Sequence, residues 1–368
     1  MKVGILTGGG DCQALNAAIR AVTKSLMHEL GAEMVAIEEG ILGLIERRTH
    51  PLTEKNVDDI LCDGGTILGT CNYASPFDYK GQDLSKEVVE YYNDLGLECI
   101  VAIGGDGTMT MCHELTAIGL NFVGLPKTID NDLAHTDRTF GFDTAVNIAA
   151  DAIDRLQTTA RSHNRVMIVE TMGRYTGWIT LHGGLAGGAD VILMPEFPYD
   201  IDEVVRAVER SLKLRKHCII VVAEGAKPKG GKMTVAKTIA DSPDPVRLGG
   251  IGHALQAQLE ERIKAEMRTT VLGHVQRGGN PSAYDRIIAT NMGAYAASLV
   301  AEKKYNRLVI VKEGRLNSVP LSEVANETRT VPMNDMALAA ALGMGISIGD
   351  KDVRIPLNSL KDDEMLLG

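Results

Sequence analysis

Residues 98–119, ECIVAIGGDGTMTMCHELTAIG, decide the fold of this chain. A continuous apolar run is followed at once by a glycine-rich turn, and apolar residues then recur at helical spacing. A short apolar run bounded by glycine is typical of a strand that is buried on both faces. The stretch therefore predicts a strand, a tight turn and a helix, which together form half of a βαβ unit.

The same order of strand, turn and helix recurs along the chain. Buried strands that alternate with helices indicate a mainly parallel sheet, so we predict an α/β fold. In such sheets ligands bind beyond the carboxyl ends of the strands, which is where the polar motifs of this chain stand. The other apolar runs are KVGILT (2–7), NFVGL (121–125), RVMIVE (165–170), KHCIIVVAE (216–224) and TTVLG (269–273).

Composition narrows the classes of function. The chain has 368 residues and a net charge of -10, which argues against a basic surface for nucleic acid. The six cysteines form no C-x-x-C pair, which argues against a zinc or redox site. No apolar run approaches the roughly 18–20 residues of a membrane span, and the amino terminus lacks the pattern of a signal peptide. We expect a cytoplasmic protein without a nucleic-acid or membrane partner.

Three further segments carry structural predictions. Residues 140–160, FGFDTAVNIAADAIDRLQTTA, predict a long helix with Val146, Ile153 and Leu156 on its buried face. Residues 223–250 are rich in Lys, Gly and Pro and predict a surface excursion. Residues 360–368 are acidic and are expected to be frayed.

Two glycine-rich turns are candidates for anion binding, GGGD at 8–11 and GGDGT at 104–108. Backbone can approach a phosphate closely in such turns, and the helix that follows offers its free N–H groups. The second turn contains Asp106, a carboxylate that Mg²⁺ could bridge to phosphate oxygens. The alternative is that Asp106 caps its own helix, and the residues alone support both interpretations equally.

The motif PKTIDND, residues 126–132, follows another apolar run. It places Lys127, Thr128, Asp130 and Asp132 together, and a carboxylate near a phosphate site suits deprotonation of an attacking hydroxyl. The alternative is a cluster of side chains that only stabilises a turn. Because two phosphate-type turns precede the motif, we favour a catalytic role.

Four arginines stand at junctions of strands and loops. Arg guanidinium groups match phosphate geometry, so in an acidic protein these four suggest a pocket for a phosphorylated sugar. Any one of them alone is more often a surface charge or a member of an ion pair. The residues are Arg165, Arg174, Arg268 and Arg277, with His274 close to the last of them.

The motifs LTGGGD, GGDGT, PKTIDND, GFDTA, VETMGRYTGW, AGGAD, VLGHVQRGG and YDR stand in this order between residues 3 and 286. Together they resemble the phosphofructokinase A family, which transfers a phosphoryl group to the 1-hydroxyl of fructose 6-phosphate. The resemblance implies two Rossmann-like three-layer α/β domains with mainly parallel sheets and the active site in the cleft between them. It implies a larger donor-binding domain of residues 1–141 with 277–326. Residues 142–276 with 327–368 would form a smaller domain that binds the sugar phosphate.

The resemblance also implies roles for individual residues. Asp130 would be the general base, helped by Thr128, Arg174 and Lys127, and Asp106 would bind Mg²⁺. Arg165 and Arg268 would reach in from a neighbouring subunit, which implies a homo-oligomer, a dimer or a tetramer, with shared sites. The donor would be bound by Gly10, Asn72, Gly107 and Thr108. The sugar phosphate would be bound by Asp132, Arg165, Met172, Gly173, Glu224, Arg268, His274 and Arg277.

Residues 107 and 127 indicate whether the phosphoryl donor is ATP or pyrophosphate. ATP users of the family usually have Gly where this chain has Lys127, whereas pyrophosphate users have Lys there together with Asp in place of Gly107. Gly107 leaves room for the α-phosphate and the nucleoside, while Lys127 attracts the terminal phosphates of either donor. We therefore expect an ATP- and Mg²⁺-dependent 6-phosphofructokinase that yields fructose 1,6-bisphosphate in glycolysis.

Two alternatives stay open at this point. Asn72 stands where the family has an arginine between the substrates, so a pyrophosphate-dependent enzyme is the second hypothesis. The third is a catalytically silent member that acts as a subunit or ligand sensor. The presence of Asp106, Asp130, Asp132 and Arg174 argues against that third hypothesis.

Overall fold

The computed structural model describes residues 1–238 and 246–356. Contacts between Cα atoms divide the chain into two compact units, each built from two separate segments. Unit 1 comprises Met1–Thr144 and Arg277–Arg329, and unit 2 comprises Ala145–Gln276 and Thr330–Gly368. The domain boundaries suggested by the sequence, after residues 141, 276 and 326, lie at or near these points. The assignment of the donor to one domain and the sugar to the other stays a prediction.

The strands follow the apolar runs of the sequence. In chain order the described strands are β1 (Lys2–Thr7), β2 (Glu33–Ile37), β3 (Thr49–Leu52), β4 (Cys99–Gly104), β5 (Phe122–Pro126), β6 (Val166–Thr171), β7 (Val191–Leu193), β8 (Cys218–Ala223), β9 (Val235–Thr238), β10 (Val246–Leu248), β11 (Met267–Val271), β12 (Arg307–Lys312) and β13 (Arg315–Pro320).

The helices occupy the segments between them. The described helices are α1 (Leu15–Leu30), α2 (Ile41–Ile45), α3 (Glu54–Val57), α4 (Ser85–Asp94), α5 (Asp106–Thr116), α6 (Phe142–His163), α7 (Trp178–Ala186), α8 (Ile201–Arg215), α9 (Ile251–Glu260), α10 (Ala283–Ala301), α11 (Leu321–Val324) and α12 (Met336–Gly343). Two short 3-10 helices span Ile60–Cys62 and Gly273–Arg277.

Unit 1 is built on a seven-stranded sheet with the order β13-β12-β5-β4-β1-β2-β3. The five inner strands are parallel, and the edge strands β3 and β13 pair antiparallel with their neighbours. Every residue of β4 is buried, as expected of a central strand covered on both faces. The hydrophobic core of unit 1 includes Leu6, Ile100, Phe122 and Leu308.

Unit 2 is built on a smaller sheet with the order β11-β6-β8-β7, in which all pairs are parallel. All six residues of β6 and of β8 are buried. Helices α8 and α9 contribute Val208 and Leu255 to the core beneath this sheet. The two sheets confirm the predicted α/β class with mainly parallel strands.

One of the segment predictions needs correction. In α6 Ile153 is fully buried, but Val146 and Leu156 are only partly covered. The buried row consists instead of Ala145, Ala149, Ile153 and Ala160, because these residues repeat at intervals that keep them on one face of a helix.

The surface excursion predicted at 223–250 contains more structure than its composition suggested. Strands β9 and β10 pair antiparallel within it to form a two-stranded ribbon. Residues 239–245 of this segment, and the carboxy-terminal residues 360–368 predicted to be frayed, lie outside the described part of the chain. Within residues 1–238 and 246–356, no helix is long and apolar enough to cross a bilayer.

Candidate active site

Three neighbouring strands of unit 1 bring three motifs to one edge of the sheet. Strand β4 pairs in parallel with β1 on one side and with β5 on the other, so all three carboxyl ends meet. The first glycine loop (8–11) follows β1, the second glycine loop (104–108) ends β4, and the acidic loop (126–132) ends β5. Backbone bonds join them, from Gly8 N–H to the Ile103 carbonyl at 2.9 Å and from Lys127 N–H to the Gly104 carbonyl at 3.0 Å.

The first glycine loop is packed against two other segments of unit 1. Gly9 N–H donates to the Cys71 carbonyl at 3.1 Å, and Thr70 Oγ1 donates to the Gly9 carbonyl at 2.6 Å. This pairing brings the exposed Asn72 to the edge of the loop. A Cβ atom at Gly10 would lie 2.8 Å from Nη1 of Arg277, so a larger residue there would displace that guanidinium.

The second glycine loop resolves the role left open for Asp106. The N-cap residue of α5 is Gly105, and no side chain caps this helix. Asp106 stands in the first turn with an exposed side chain, so the alternative that it caps its own helix is wrong. Thr108, two residues further on, is buried. The exposed carboxylate is available to a cation, and the helix N-terminus beside it favours an anion.

Gly107 faces open space. The residue is exposed, and a Cβ atom added to it would meet no atom of the protein within 4 Å. The protein itself therefore tolerates a side chain here, and the glycine keeps free a volume at the start of α5. A ligand anion bound by the helix N-terminus would need that volume.

Lys127 is held beneath the first glycine loop. Lys127 is only 3% exposed, and its Nζ donates a hydrogen bond to the Gly10 carbonyl. Burial lowers the pKa of Lys127 from its ordinary value. The nearby Arg277 also lowers this pKa, whereas Asp132 partly offsets the shift. The amine thus links the acidic loop to the loop proposed to hold phosphates.

The two acids of the acidic loop share one electrostatic environment. Burial raises the pKa of Asp130, and the positive charges of Arg277 and Lys127 partly oppose that rise. Burial and then the negative charges of Asp130 and Asp106 raise the pKa of Asp132 to about 7. Carboxyl groups with raised pKa values are better proton acceptors near neutral pH than ordinary aspartates.

The turn itself is formed by residues that sequence reasoning did not assign to the site. Thr128 Oγ1 accepts a bond from Asp130 N–H at 3.0 Å, and Asn131 adopts a left-handed conformation with φ of 51°. The Asn131 side chain is fully buried and accepts a bond from Thr139 N–H at 3.0 Å. The only available signal was Asn131 itself, because Asn is one of the few residues that tolerates this conformation.

The carboxylates fit a magnesium ion. Mg²⁺ prefers oxygen ligands and commonly takes one or two carboxylates together with substrate phosphates. Among residues 1–238 and 246–356, no group of three or more His, Cys, Asp or Glu is arranged to hold a metal alone. The exposed Asp106 would supply one such ligand, and its charge raises the pKa of Asp132. A divalent cation near Asp106 would relieve that repulsion, so this donor set suits a metal that arrives with phosphate.

Unit 2 brings together several residues predicted to bind the sugar phosphate. Strands β6 and β8 pair to their carboxyl ends, where Glu224 N–H donates to the Thr171 carbonyl at 2.9 Å. The following residue, Gly225, donates its N–H to the Gly173 carbonyl at 3.0 Å. Met172, Gly173, Arg174 and Glu224 therefore lie at one edge of this sheet. The Arg174 guanidinium stands 4.9 Å from the centre of the Tyr175 ring.

Arg165 and Arg268 lie at the opposite end of the strands of the same sheet, where β6 and β11 begin. Arg165 immediately precedes β6, and Arg268 is the second residue of β11, paired beside Met167. Both guanidinium groups bind Glu266, with two contacts of 2.9 Å from Arg165. Within unit 2, Arg165 and Arg268 therefore lie apart from Arg174. Strand β6 has six residues, so about 20 Å separates its two ends.

The remaining predicted residues lie in the 3-10 helix Gly273–Arg277, beyond the carboxyl end of β11. His274 is exposed. Arg277, the first residue of the second segment of unit 1, donates from Nη1 to the Asp11 carbonyl at 2.9 Å. It therefore contacts the first glycine loop, and its charge lowers the pKa values of Lys127 and Asp130.

Comparison with known proteins agrees with these motifs. The sequence profile of phosphofructokinase matches residues 2–300. ATP-dependent 6-phosphofructokinase 2 of Clostridium perfringens is 47% identical over 360 residues, covering 95% of this chain and 98% of the relative. Pyrophosphate--fructose 6-phosphate 1-phosphotransferase of Amycolatopsis methanolica is 47% identical over 332 residues, covering 90% and 96%.

Solved structures show the same fold. The T-state phosphofructokinase of Pichia pastoris is 30% identical with a TM-score of 0.78, and the match covers 88% of this chain and 37% of that longer one. The pyrophosphate-dependent phosphofructokinase of Nitrosospira multiformis, at 22% identity, has a TM-score of 0.80 over 90% of this chain and 86% of its own. The profile match and the close relatives confirm the predicted resemblance, and the chain belongs to the phosphofructokinase family.

Proposed function

We propose that the protein transfers the γ-phosphoryl group of ATP to the 1-hydroxyl of fructose 6-phosphate, forming fructose 1,6-bisphosphate and ADP in glycolysis. The observation that carries the choice of ATP is the open volume at Gly107, where an added Cβ would meet nothing within 4 Å. A donor with an α-phosphate and a nucleoside needs this volume, whereas pyrophosphate does not.

The donor phosphates would be bound by the first glycine loop and the N-terminus of α5. Gly10, Gly107 and Thr108 would line them, and Asn72 would stand at their edge. Backbone N–H groups at a helix N-terminus bind phosphate without a dedicated side chain. Asp106 would hold Mg²⁺, which when bound neutralises part of the phosphate charge and so favours transfer.

Proton removal from the sugar hydroxyl is assigned to Asp130. Its pKa is raised by burial, which suits a group that must accept a proton as the hydroxyl attacks phosphorus. Lys127 lies beneath the first glycine loop, where its charge favours the transferring phosphoryl group. Thr128 and Asp132 would orient the reacting end of the sugar, and Arg174 would stabilise charge that develops during transfer.

The sugar phosphate would be bound by Met172, Gly173, Arg174, Glu224, His274 and Arg277. Arg165 and Arg268 lie at the opposite edge of the unit 2 sheet from Arg174. This separation supports the idea that they serve the site of a neighbouring copy of the chain. We therefore propose a homo-oligomer, a dimer or a tetramer, that works in the cytoplasm with sites shared between subunits.

A pyrophosphate-dependent reaction with the same acceptor is the second candidate. The observation that favours it is the buried amine of Lys127 under the first glycine loop, because a cation there attracts terminal phosphates of either donor. Relatives of similar identity carry both names.

A single assay decides between these candidates. Purified protein is mixed with Mg²⁺ and fructose 6-phosphate, and turnover is compared with ATP and with pyrophosphate as donor. We expect a higher kcat/KM with ATP. Faster turnover with pyrophosphate would replace the first proposal by the second. Absence of turnover with both donors would leave the silent family member as the surviving hypothesis.

A further inference from the structure

The acidic loop has to hold two carboxyl groups that repel each other. The negative charge of Asp130 contributes to the raised pKa of Asp132, so the two groups are near enough to interact. Both residues keep part of their surface open to solvent, whereas Asn131 between them is fully buried. Asn131 is therefore the most enclosed of the three residues.

Residues 136–144 form a strap that receives the amide of Asn131. Asn131 Oδ1 accepts a hydrogen bond from Thr139 N–H at 3.0 Å. Asn131 Nδ2 donates to the Asp137 carbonyl at 3.4 Å. Thr139 also donates through its hydroxyl, from Oγ1 to the Thr128 carbonyl at 2.8 Å. Thr139, which is 1% exposed, thus bonds to the loop on both sides of Asp130.

The strap is itself fixed to unit 1. Asp137 N–H donates to the Val311 carbonyl of β12 at 2.8 Å, and Val311 N–H donates to Thr136 Oγ1 at 3.1 Å. At its other end, Asp285 of α10 accepts bonds from the backbone and hydroxyl of Thr144 at 2.8 and 2.5 Å. Because both ends of the strap are fixed, the strap can restrain the acidic loop to which it is hydrogen-bonded.

We propose that Asn131 and Thr139 are positioning residues that hold Asp130 and Asp132 in the geometry needed for proton removal. This inference rests on the proposed function. Neither residue touches the substrate in this scheme. They act through the backbone of the acidic loop, with Asn131 allowing the left-handed turn and Thr139 closing it with its hydroxyl. Misplacement of a catalytic group by about 1 Å can lower the rate about 10²-fold.

The test compares two substitutions of the same residue. Thr139→Val keeps the shape but removes the hydroxyl, whereas Thr139→Ser keeps the hydroxyl. We expect Thr139→Val to lower kcat about 10- to 100-fold, with KM for both substrates changed by less than about threefold. Thr139→Ser should retain most of the activity. Thr23→Val is the matched control, because Thr23 is a fully buried threonine in the middle of α1.

Hydrogen exchange provides a readout that does not depend on activity. In Thr139→Val, backbone amides of residues 127–133 should exchange faster than in the wild type, and in Thr139→Ser they should not. If Thr139→Val does not fold, Asn131→Gly is measured instead, since glycine adopts the same positive φ but lacks the amide. Unchanged exchange, or a kcat within about threefold of the wild type, would overturn the inference. Absence of turnover in the wild type would refute the proposed function alone, because the exchange data would still decide the role of Thr139.

Discussion

Lys127 in unit 1 and Arg268 in unit 2, two cations assigned to the site, are held in contrasting ways. In unit 1 Lys127 is 3% exposed and is bonded to a backbone carbonyl of another loop. In unit 2 the side chain of Arg268 is 57% exposed and is paired with Glu266. A buried group has a shifted pKa and a fixed position, which suits chemistry. An exposed pair costs little to rearrange, which suits the capture of an anion that displaces Glu266.

The difference implies that substitutions in the acidic and glycine loops of unit 1 should change kcat or donor choice, whereas substitution of the exposed Arg268 should change KM. The largest expected effect comes from Asp130→Ser. Loss of the general base should lower kcat by about 10²–10⁴ while KM for fructose 6-phosphate changes little. Steady-state kinetics measure this, with Asp94→Ser, an exposed site at the end of α4, as control. A kcat within about tenfold of the wild type would remove Asp130 from the mechanism.

Gly107→Asp tests whether space and charge at the start of α5 select the donor. The variant should fold, because its Cβ meets nothing within 4 Å. Its carboxylate would repel the α-phosphate of ATP, and since such repulsion costs several kcal/mol we expect kcat/KM for ATP to fall about 10²-fold or more. Turnover with pyrophosphate should be less affected.

The matched control for this substitution is Gly107→Asn, which occupies the same volume without a charge. Loss of ATP use in both variants would assign the effect to space, and loss only in the Asp variant would assign it to charge. Unchanged ATP kinetics in Gly107→Asp would contradict the assignment of Gly107 to the donor site.

Arg268→Ala tests whether the exposed arginine of unit 2 binds the substrate phosphate. Loss of one charge-assisted contact to phosphate should raise KM for fructose 6-phosphate about tenfold, with kcat within about threefold. Arg262→Ala is the control, because Arg262 is also exposed on unit 2 and paired with an acid, Asp202. An unaltered KM would show that Arg268 makes no contact with the substrate in any subunit.

The smallest expected effect is that of Asp132→Asn on the pH dependence of stability. The pKa of Asp132 is raised to about 7 from 3.8, so the folded protein holds this proton more tightly than the unfolded chain does. Stability should therefore decrease as pH rises from about 4 to about 7, and Asp132→Asn should remove part of that decrease. Urea midpoints at about pH 5 and about pH 8, measured without divalent metal, give the comparison.

Asp151→Asn is the control for this measurement, because Asp151 is an exposed residue paired with Arg155 on α6. Its pH dependence should match that of the wild type. An equally steep loss of stability in Asp132→Asn and in the wild type would contradict the raised pKa of Asp132.

Much of the fold could be predicted because its signals are local. Apolar runs ended by glycine correctly located β1, β4, β5, β6 and β8. The error in α6 arose because Val146 and Leu156 are larger than the alanines that pack inward, so hydrophobicity alone selected the wrong face. The ribbon of β9 and β10 was missed since its segment is dominated by Lys, Gly and Pro.

The sequence by itself determined the α/β class, the family and the placement of three functional loops at one sheet edge. Each follows from residues adjacent in the chain and from the rule that parallel strands share an edge. Only the tertiary structure decided that Lys127 binds the Gly10 carbonyl, that Thr139 closes the acidic loop, and that Arg165 lies opposite Arg174. These features depend on burial and on hydrogen bonds between distant segments, and such quantities exist only once the chain has folded.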